Sequence, residues 1–363
     1  MSLNYILSFL ISGGILLLAF ILLINPLNTN KKGNFYFGLF LLVWSTFWLD
    51  EAFDSQEFIN NTLFIVVKNF IQFLAPNLFY ISIKYYTNPS YKFGKRDLGL
   101  FLLPPLYLLS LLYRTSFDSN FSKTLNLTLI IGNALYHTIL SYITVLKHQN
   151  NIESFVSNKE SVDLNWIKNI IYIIIGAIIL SALYGTFIDP KSLNIYVNIC
   201  FLAVVYMIAY YSIKRGEIYP KKLDITEIVE NDNSEVETQK SKDLISATDL
   251  EILKEKLLHL MDSEKPYLDS ELNLVKLADK LSLSTHQLSY IINNGFNENF
   301  FQFINKYKVE KAQELLTSPE YSHYTIIAIG YEAGFNSKTA FNTTFKKITS
   351  YTPTEYRKIR SNL

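Results

Sequence analysis

The chain has 363 residues, a formal net charge of +1 and one cysteine, Cys200. That length allows about two domains. The near-zero charge excludes a global basic field as the sign of a nucleic-acid partner, and a lone cysteine excludes both a disulfide framework and a cysteine-built metal site. The average hides a division, because apolar residues concentrate before Ile213 and charged ones after it.

Residues 3–24 are apolar and close to the ~20 residues that cross a bilayer. The stretch lacks the basic start and small-residue cleavage pattern of a signal peptide, and similar stretches follow, so it reads as a first span. Six more are expected at 35–49, 63–83, 98–112, 125–146, 166–188 and 193–213. The fourth carries Pro104-Pro105, which favours a kink. Loops one, three and five with the tail as far as Lys222 hold 12 Lys and Arg, or 13 with Lys168 at the edge of span six, against 3 in loops two, four and six. Positive charge marks the cytoplasmic side. This orientation puts the N-terminus outside an inner, cytoplasmic membrane, the acidic second loop (Asp50, Glu51, Asp54, Glu57) also outside, and everything after span seven in the cytoplasm. The abundant Tyr and Phe, 25 and 26, suit rings at a bilayer interface.

Polar residues inside these spans are few. Lys68, Asn69, Gln72, Asn133 and His137 are the candidates for a cavity that receives a signal, since intramembrane polar groups tend to face a bundle interior. The competing reading, which has the better prior, is hydrogen bonding between helices, or snorkelling of Lys68. No metal-ligand spacing and no set of convergent carboxylates appears, so neither an enzyme nor a cofactor site is expected.

Residues 216–248 are acidic and polar and read as a flexible tether, too poor in apolar surface to fold alone. From Asp249 the pattern is helical again. Leu250, Leu253, Leu257 and Leu260 form a short seam. It serves either to pair two copies of the chain or, as favoured here, to pack on the domain that follows.

That domain, 249–363, contains a repeat. A first helix with Leu274, Leu277, Ala278 and Leu281 is followed by Ser284, Leu288, Ile291 and Ile292. A later one with Ile326, Ile329, Gly330 and Ala333 is followed by Ser337, Phe341 and Phe345. Ser-Leu-Ile and Ser-Phe-Phe both step by four residues. Each half is a helix-turn-helix unit, at about 273–294 and 325–348, joined by a helix over 299–317. Ser284 and Ser337 are placed as N-caps, and Ala278 and Gly330 as the small residues that let helices approach. Leu288, Ile291 and Ile292, and Phe341, Phe345 and Ile348, are the expected inward stripes. The opposite faces present Thr285, His286, Ser289 and Tyr290 in unit one, and Lys338, Thr339, Asn342 and Thr343 in unit two. Lys donates to guanine, Asn pairs with adenine and a Thr methyl meets the thymine methyl, so these are the candidate base contacts. Lys306, Lys308, Lys346, Lys347, Arg357 and Lys358 are candidate phosphate contacts. A solvated surface is the alternative for His286, and a solvated helix face for Lys346 and Lys347.

The stretch "LNLVKLADKLSLSTHQLSYIINNGFNENFFQFINKYKVEKAQELL" and the following "TIIAIGYEAGFNSKTAFNTTFKKITSYTPTEYRKIR" resemble the AraC/XylS family of transcription regulators over about the last hundred residues. Several spans followed by such a domain resemble the membrane-bound regulators of this type in Bacteroidota. The resemblance implies an all-α chain, a seven-span bundle followed by a cytoplasmic AraC-type domain, and it puts base reading on the residues just named. Three positions depart from the family pattern: Lys308 stands where Arg is usual, Ser350 where Gly usually ends a helix, and Gly330 where Ala is usual. Unit one is poor in Arg, so unit two is expected to carry more of the reading. The expected function is a membrane-anchored, sequence-specific transcription regulator gated by a signal. The alternative is a membrane receptor or transporter-like protein whose C-terminal domain binds a protein. Expected partners are double-stranded promoter DNA, the lipid bilayer, a second copy of the chain, and a ligand or membrane partner of the apolar half.

Overall fold

The structure is a computed structural model describing residues 3–48, 61–117, 119–157, 163–187, 190–214 and 247–361. The acidic second loop, the tether as far as residue 246, and the side chain of Arg360 lie outside the described residues. Among the described residues all regular structure is helical apart from one antiparallel bridge, Val156 with Asn273. The chain divides into two units. The first is 1–148 with 164–218. The second is 149–163 with 219–363. A boundary at 215 therefore misses one feature: the loop 149–163 belongs with the C-terminal unit.

In the first unit, α1 spans Leu3–Ile24, α2 Lys31–Ser45, α3 Thr62–Phe73 and α4 Ala75–Thr87. A short 3₁₀ turn, Lys95–Phe101, leads into α5, Leu103–Ser116. Then come α6 over Asn120–Asn151, α7 over Asn165–Phe187 and α8 over Pro190–Lys214. The expected third span is broken at Leu74, because Pro76 sits in the first turn of α4 and donates no N–H. Pro104 and Pro105 open α5 rather than kink it. Five helical stretches among the described residues are long and apolar enough to cross a membrane: Leu3–Ile24, Thr62–Thr87, Asp97–Ser116, Asn120–Asn151 and Ile195–Ser212. The second expected span falls short, since the 15 residues of α2 rise only about 22 Å.

The packing of α6 inverts the usual rule, although the core around α1, α2 and α4 is mostly apolar. The buried residues of α6 are Ser122, Asn126, Asn133, His137, Ser141, Val145 and His148. Its exposed residues include Phe121, Leu127, Leu135, Ile139 and Ile143. Close approach replaces apolar bulk where small residues allow it. Gly33 lies against the Tyr86 ring, where a Cβ would come within 2.5 Å of a ring carbon, and the Tyr86 hydroxyl donates to Asn34 Oδ1 at 2.8 Å. Trp48 Nε1 donates to Asn198 Oδ1 at 3.1 Å.

In the second unit, α9 is Ala247–Ser263. The first pair is α10, Leu274–Leu281, and α11, Thr285–Phe296, followed by the joining helix α12, Phe300–Thr317. The second pair is α13, Ile326–Glu332, and α14, Lys338–Thr349, and α15, Pro353–Ser361, closes the unit. On α9, Leu257, Leu260 and Met261 are buried, and Lys254 lays its stem on Gly295 of α11. The leucine seam is thus used within the unit, packed on the first helix pair. The main core gathers Val309, Ala312, Leu315 and Leu316 of α12 with Ile329, Ala333, Phe335, Phe341 and Phe345. One helix therefore anchors the second pair through one row of apolar side chains. Ile348 does not join it; it is 46% exposed, because the inward stripe of α14 ends at Phe345.

Candidate nucleic-acid interface

Each helix of the two pairs starts on a side-chain cap that satisfies an N–H its first turn cannot bond internally. Asn273 Oδ1 accepts from Lys276 N at 3.0 Å, and Thr325 Oγ1 accepts from Ala328 N at 3.2 Å. The outward helices start in the same way. Ser284 Oγ accepts from Gln287 N at 3.2 Å while Gln287 Oε1 accepts from Ser284 N at 2.9 Å, a reciprocal capping box. Ser337 Oγ accepts from Ala340 N at 3.1 Å. The turns use left-handed backbone: Ser282 in the first pair (φ 56) and Gly334 in the second (φ 86). Gly334 has no alternative, because a Cβ there would sit 2.4 Å from the Tyr267 carbonyl oxygen. Gly330 packs flush on Phe341, with a Cβ position 2.6 Å from a ring carbon.

Capped and packed in this way, α11 and α14 turn their apolar residues inward and their polar residues outward. On α14, Lys338, Thr339 and Thr343 are exposed and Asn342 is half-buried. On α11, Thr285, His286, Ser289 and Tyr290 are all half-buried, so the first face is shallower. Charge separates the faces further. Near the first pair, Lys276 is held by Asp269 at 2.9 Å and Lys280 by Glu264 at 2.6 Å. On the second, Lys338, Lys346 and Lys347 form no ion pair among the described residues. Backbone N–H donation at Thr352 is the main cause that holds the Glu355 carboxyl below the usual range, with Lys346 a lesser one. Lys358 is exposed. Lys306 is exposed too, 3.8 Å from Glu298.

Two expected phosphate contacts are corrected. Lys308 is 1% exposed. Its Nζ donates to the Gly334 carbonyl at 2.8 Å and lies 3.5 Å from Ser157 Oγ. Burial pulls its ammonium down to about 8, against a smaller upward push from Asp269. Arg357 turns inward, donating to the carbonyls of Tyr324 at 2.8 Å and Tyr321 at 3.3 Å. Both cations are spent on backbone carbonyls; Lys308 is buried and Arg357 half-buried, so neither is a free surface charge.

A cavity of about 260 Å³ in the first unit is lined by Asn69, Gln72, Tyr107, Arg114, Lys123 and Asn126 among others. Of the five residues expected to line a signal cavity, Asn69 and Gln72 border this one, and Gln72 Nε2 also donates to Thr46 Oγ1 at 3.2 Å. Lys68, Asn133 and His137 are not among its walls. Asn133 instead spans helices, donating to Phe73 O at 2.8 Å beside the break in the third span and to Asn77 Oδ1 at 3.1 Å. His137 Nδ1 lies 3.0 Å from Asn133 O.

An all-helical unit with two capped helix-turn-helix pairs on one joining helix is a tandem helix-turn-helix module. Independently, the sequence pattern of a helix-turn-helix domain family matches residues 277–359. Over 103 residues the chain is 30% identical to an uncharacterised HTH-type transcriptional regulator of Staphylococcus aureus (strain COL), a match covering 28% of this chain and 13% of that protein. The chain thus spans a small part of the curated relative it matches. No solved structure matches it significantly.

Proposed function

We propose that this chain is a membrane-anchored, sequence-specific DNA-binding transcription regulator of the AraC type, gated by a signal received in its apolar half. The observation that carries the reading is the pair of outward polar helices, α11 and α14, mounted on one joining helix and bearing unpaired lysines on the second face. A surface built for a protein partner would be more apolar at its centre. Lys338, Asn342 and Thr343 are chemically suited to base edges in a major groove. The printed name of the Staphylococcus relative points the same way for the C-terminal part.

The anchoring part of the reading draws on a different observation. Helix α6 hides its amides, hydroxyls and imidazoles and exposes Phe, Leu and Ile. That arrangement is costly in water and favourable in hydrocarbon, where polar groups must bond within the bundle. Any odd number of spans with the N-terminus outside, the five long apolar helices described or the seven expected from the sequence, would put the DNA-binding unit in the cytoplasm, in agreement with the loop charges. A reporter fused after Ile213 that scores as periplasmic would overturn this topology.

The central test is selection of random duplex DNA by the full chain in lipid nanodiscs. It should enrich a bipartite motif, and failure to enrich any sequence at low salt would sink the reading. Lys338→Ala and Asn342→Ala should each relax specificity at one position by about 1–3 kcal/mol. Equal loss on selected and random DNA would remove these residues from base reading.

A further inference from the structure

The second unit contains a segment that does not come from the C-terminal part of the chain. Residues 152–157 follow α6 in sequence and fold with the helix-turn-helix module. Ile152, Phe155, Val156 and Ser157 are buried. The segment caps the first pair, because Leu274 N, an N–H that α10 cannot satisfy internally, donates to Phe155 O at 3.0 Å. Val156 faces Asn273 across the antiparallel bridge. Ser157 Oγ donates to Leu272 O at 2.7 Å. On the joining helix, Asn305 Nδ2 donates to Ser157 O at 3.1 Å. Lys308 then continues the chain of contacts from Ser157 to the Gly334 carbonyl in the turn of the second pair.

One loop thus touches the start of the first pair and the middle of the joining helix, and reaches the turn of the second pair through a single buried ammonium. We propose that Ile152–Ser157 is a clasp that fixes the two helix-turn-helix pairs relative to each other. Both pairs then engage DNA together only while the loop is seated. Since α6 and α7 continue the chain on either side, a change in those helices acts directly on the clasp. The proposal rests on the DNA-binding reading for its consequence, and on the groove formed by Leu272, Asn273, Asn305 and Lys308 for its geometry.

The test uses the full chain in nanodiscs, with duplexes carrying both halves of the selected site or one half alone. Replacing Phe155, Val156 and Ser157 with glycine should cut affinity for the double site by roughly a hundredfold, the scale of lost avidity, while half-site affinity stays within about twofold. Inserting about five base pairs, half a helical turn, should cripple the wild type and barely affect the variant. Unchanged or tighter double-site binding by the variant overturns the clasp. A second arm covers a variant that does not fold. With Cys200→Ser, the pair Val156→Cys and Asn273→Cys places facing residues roughly 4.5–5.5 Å apart at Cα, within disulfide reach. Adding Asn305→Ala should weaken double-site binding in the reduced form, and oxidation should restore it; no recovery on oxidation refutes the proposal. Exchange of the Leu274 amide reads the clasp with no DNA present. An unprotected Leu274 amide in the wild type refutes the clasp, whereas absence of DNA binding beside a protected amide refutes only the DNA-binding reading.

Discussion

Lys308 offers the sharpest test of how the second unit is held together. Its side chain is almost wholly buried, and burial lowers its pKa from 10.5 to about 8. Folded Lys308 therefore releases its proton near pH 8, while the unfolded chain keeps it until about 10.5. Between those values the unfolded state binds more protons, so stability must rise with pH. A fall of this size corresponds to about 3 kcal/mol at most. Replacing Lys308 with Met removes the buried charge but leaves the Gly334 carbonyl without its donor, a loss of about 1–3 kcal/mol. At pH 7 the two effects oppose each other at similar size, so a single stability value there decides nothing. The pH dependence decides. Urea unfolding of the full chain, followed by fluorine NMR of a fluorinated Phe345 in the module's core, should show the wild type gaining on the variant from pH 8 to pH 10.5. Tyr307, pushed up to about 12 by burial, is common to both chains and cancels in the difference. A difference between wild type and Lys308→Met that stays flat across that window would refute the buried-ammonium account.

Gly334→Ala should cost more than about 3 kcal/mol, the sum of a left-handed backbone and a Cβ driven into the Tyr267 carbonyl; unfolding within about 1 kcal/mol of wild type would contradict the turn geometry. Ser350 ends α14 at φ 68, so Ser350→Gly should stabilise by about 1 kcal/mol, visible as a higher urea midpoint. Lys346→Ala and Arg357→Ala should part company. The first should lower the salt slope of DNA binding by about one with stability unchanged. The second should leave the slope alone and destabilise by about 1–3 kcal/mol, as the Tyr324 carbonyl loses its donor and Tyr321 O keeps only the Tyr324 N–H.

The repeat was legible because both pairs follow local rules: an apolar stripe of period 3.6, a serine cap and a small residue at the crossing. The burial of Lys308 was legible too, for a reader who counted. Phe300, Ile304, Lys308, Ala312 and Leu316 step by four along α12, so the lysine lies on the inward row. Its charge, and the expectation of an Arg at that position, drew it instead to phosphate. Arg357 gave no such signal, since its partners are backbone carbonyls more than thirty residues away. The seat of 152–157 was not legible either. Contacts at sequence separations above a hundred, such as Ser157 with Leu272 at 115 and with Asn305 at 148, bring that loop to the module, and no periodicity encodes such pairings. The third expected span was read as continuous because its hydropathy is continuous, while Pro76 breaks its hydrogen-bond ladder at Leu74.

The two units bury polar groups in different ways. In the module the buried polar groups Asn305, Lys308 and Ser157 meet at a single junction within an apolar core. In the first unit the core along α1 and α2 is mostly apolar, and Asn77, Asn133 and His137 form a polar seam where α4 meets α6. Such a seam gives geometric definition that apolar contact does not, because hydrogen bonds are directional. Rearranging α4 against α6 must therefore break and remake specific bonds, such as Asn133 to Asn77. That discreteness is what a switch requires. In sequence, α6 runs from this polar seam to the loop proposed as a clasp, so coupling between the two would travel along one continuous helix.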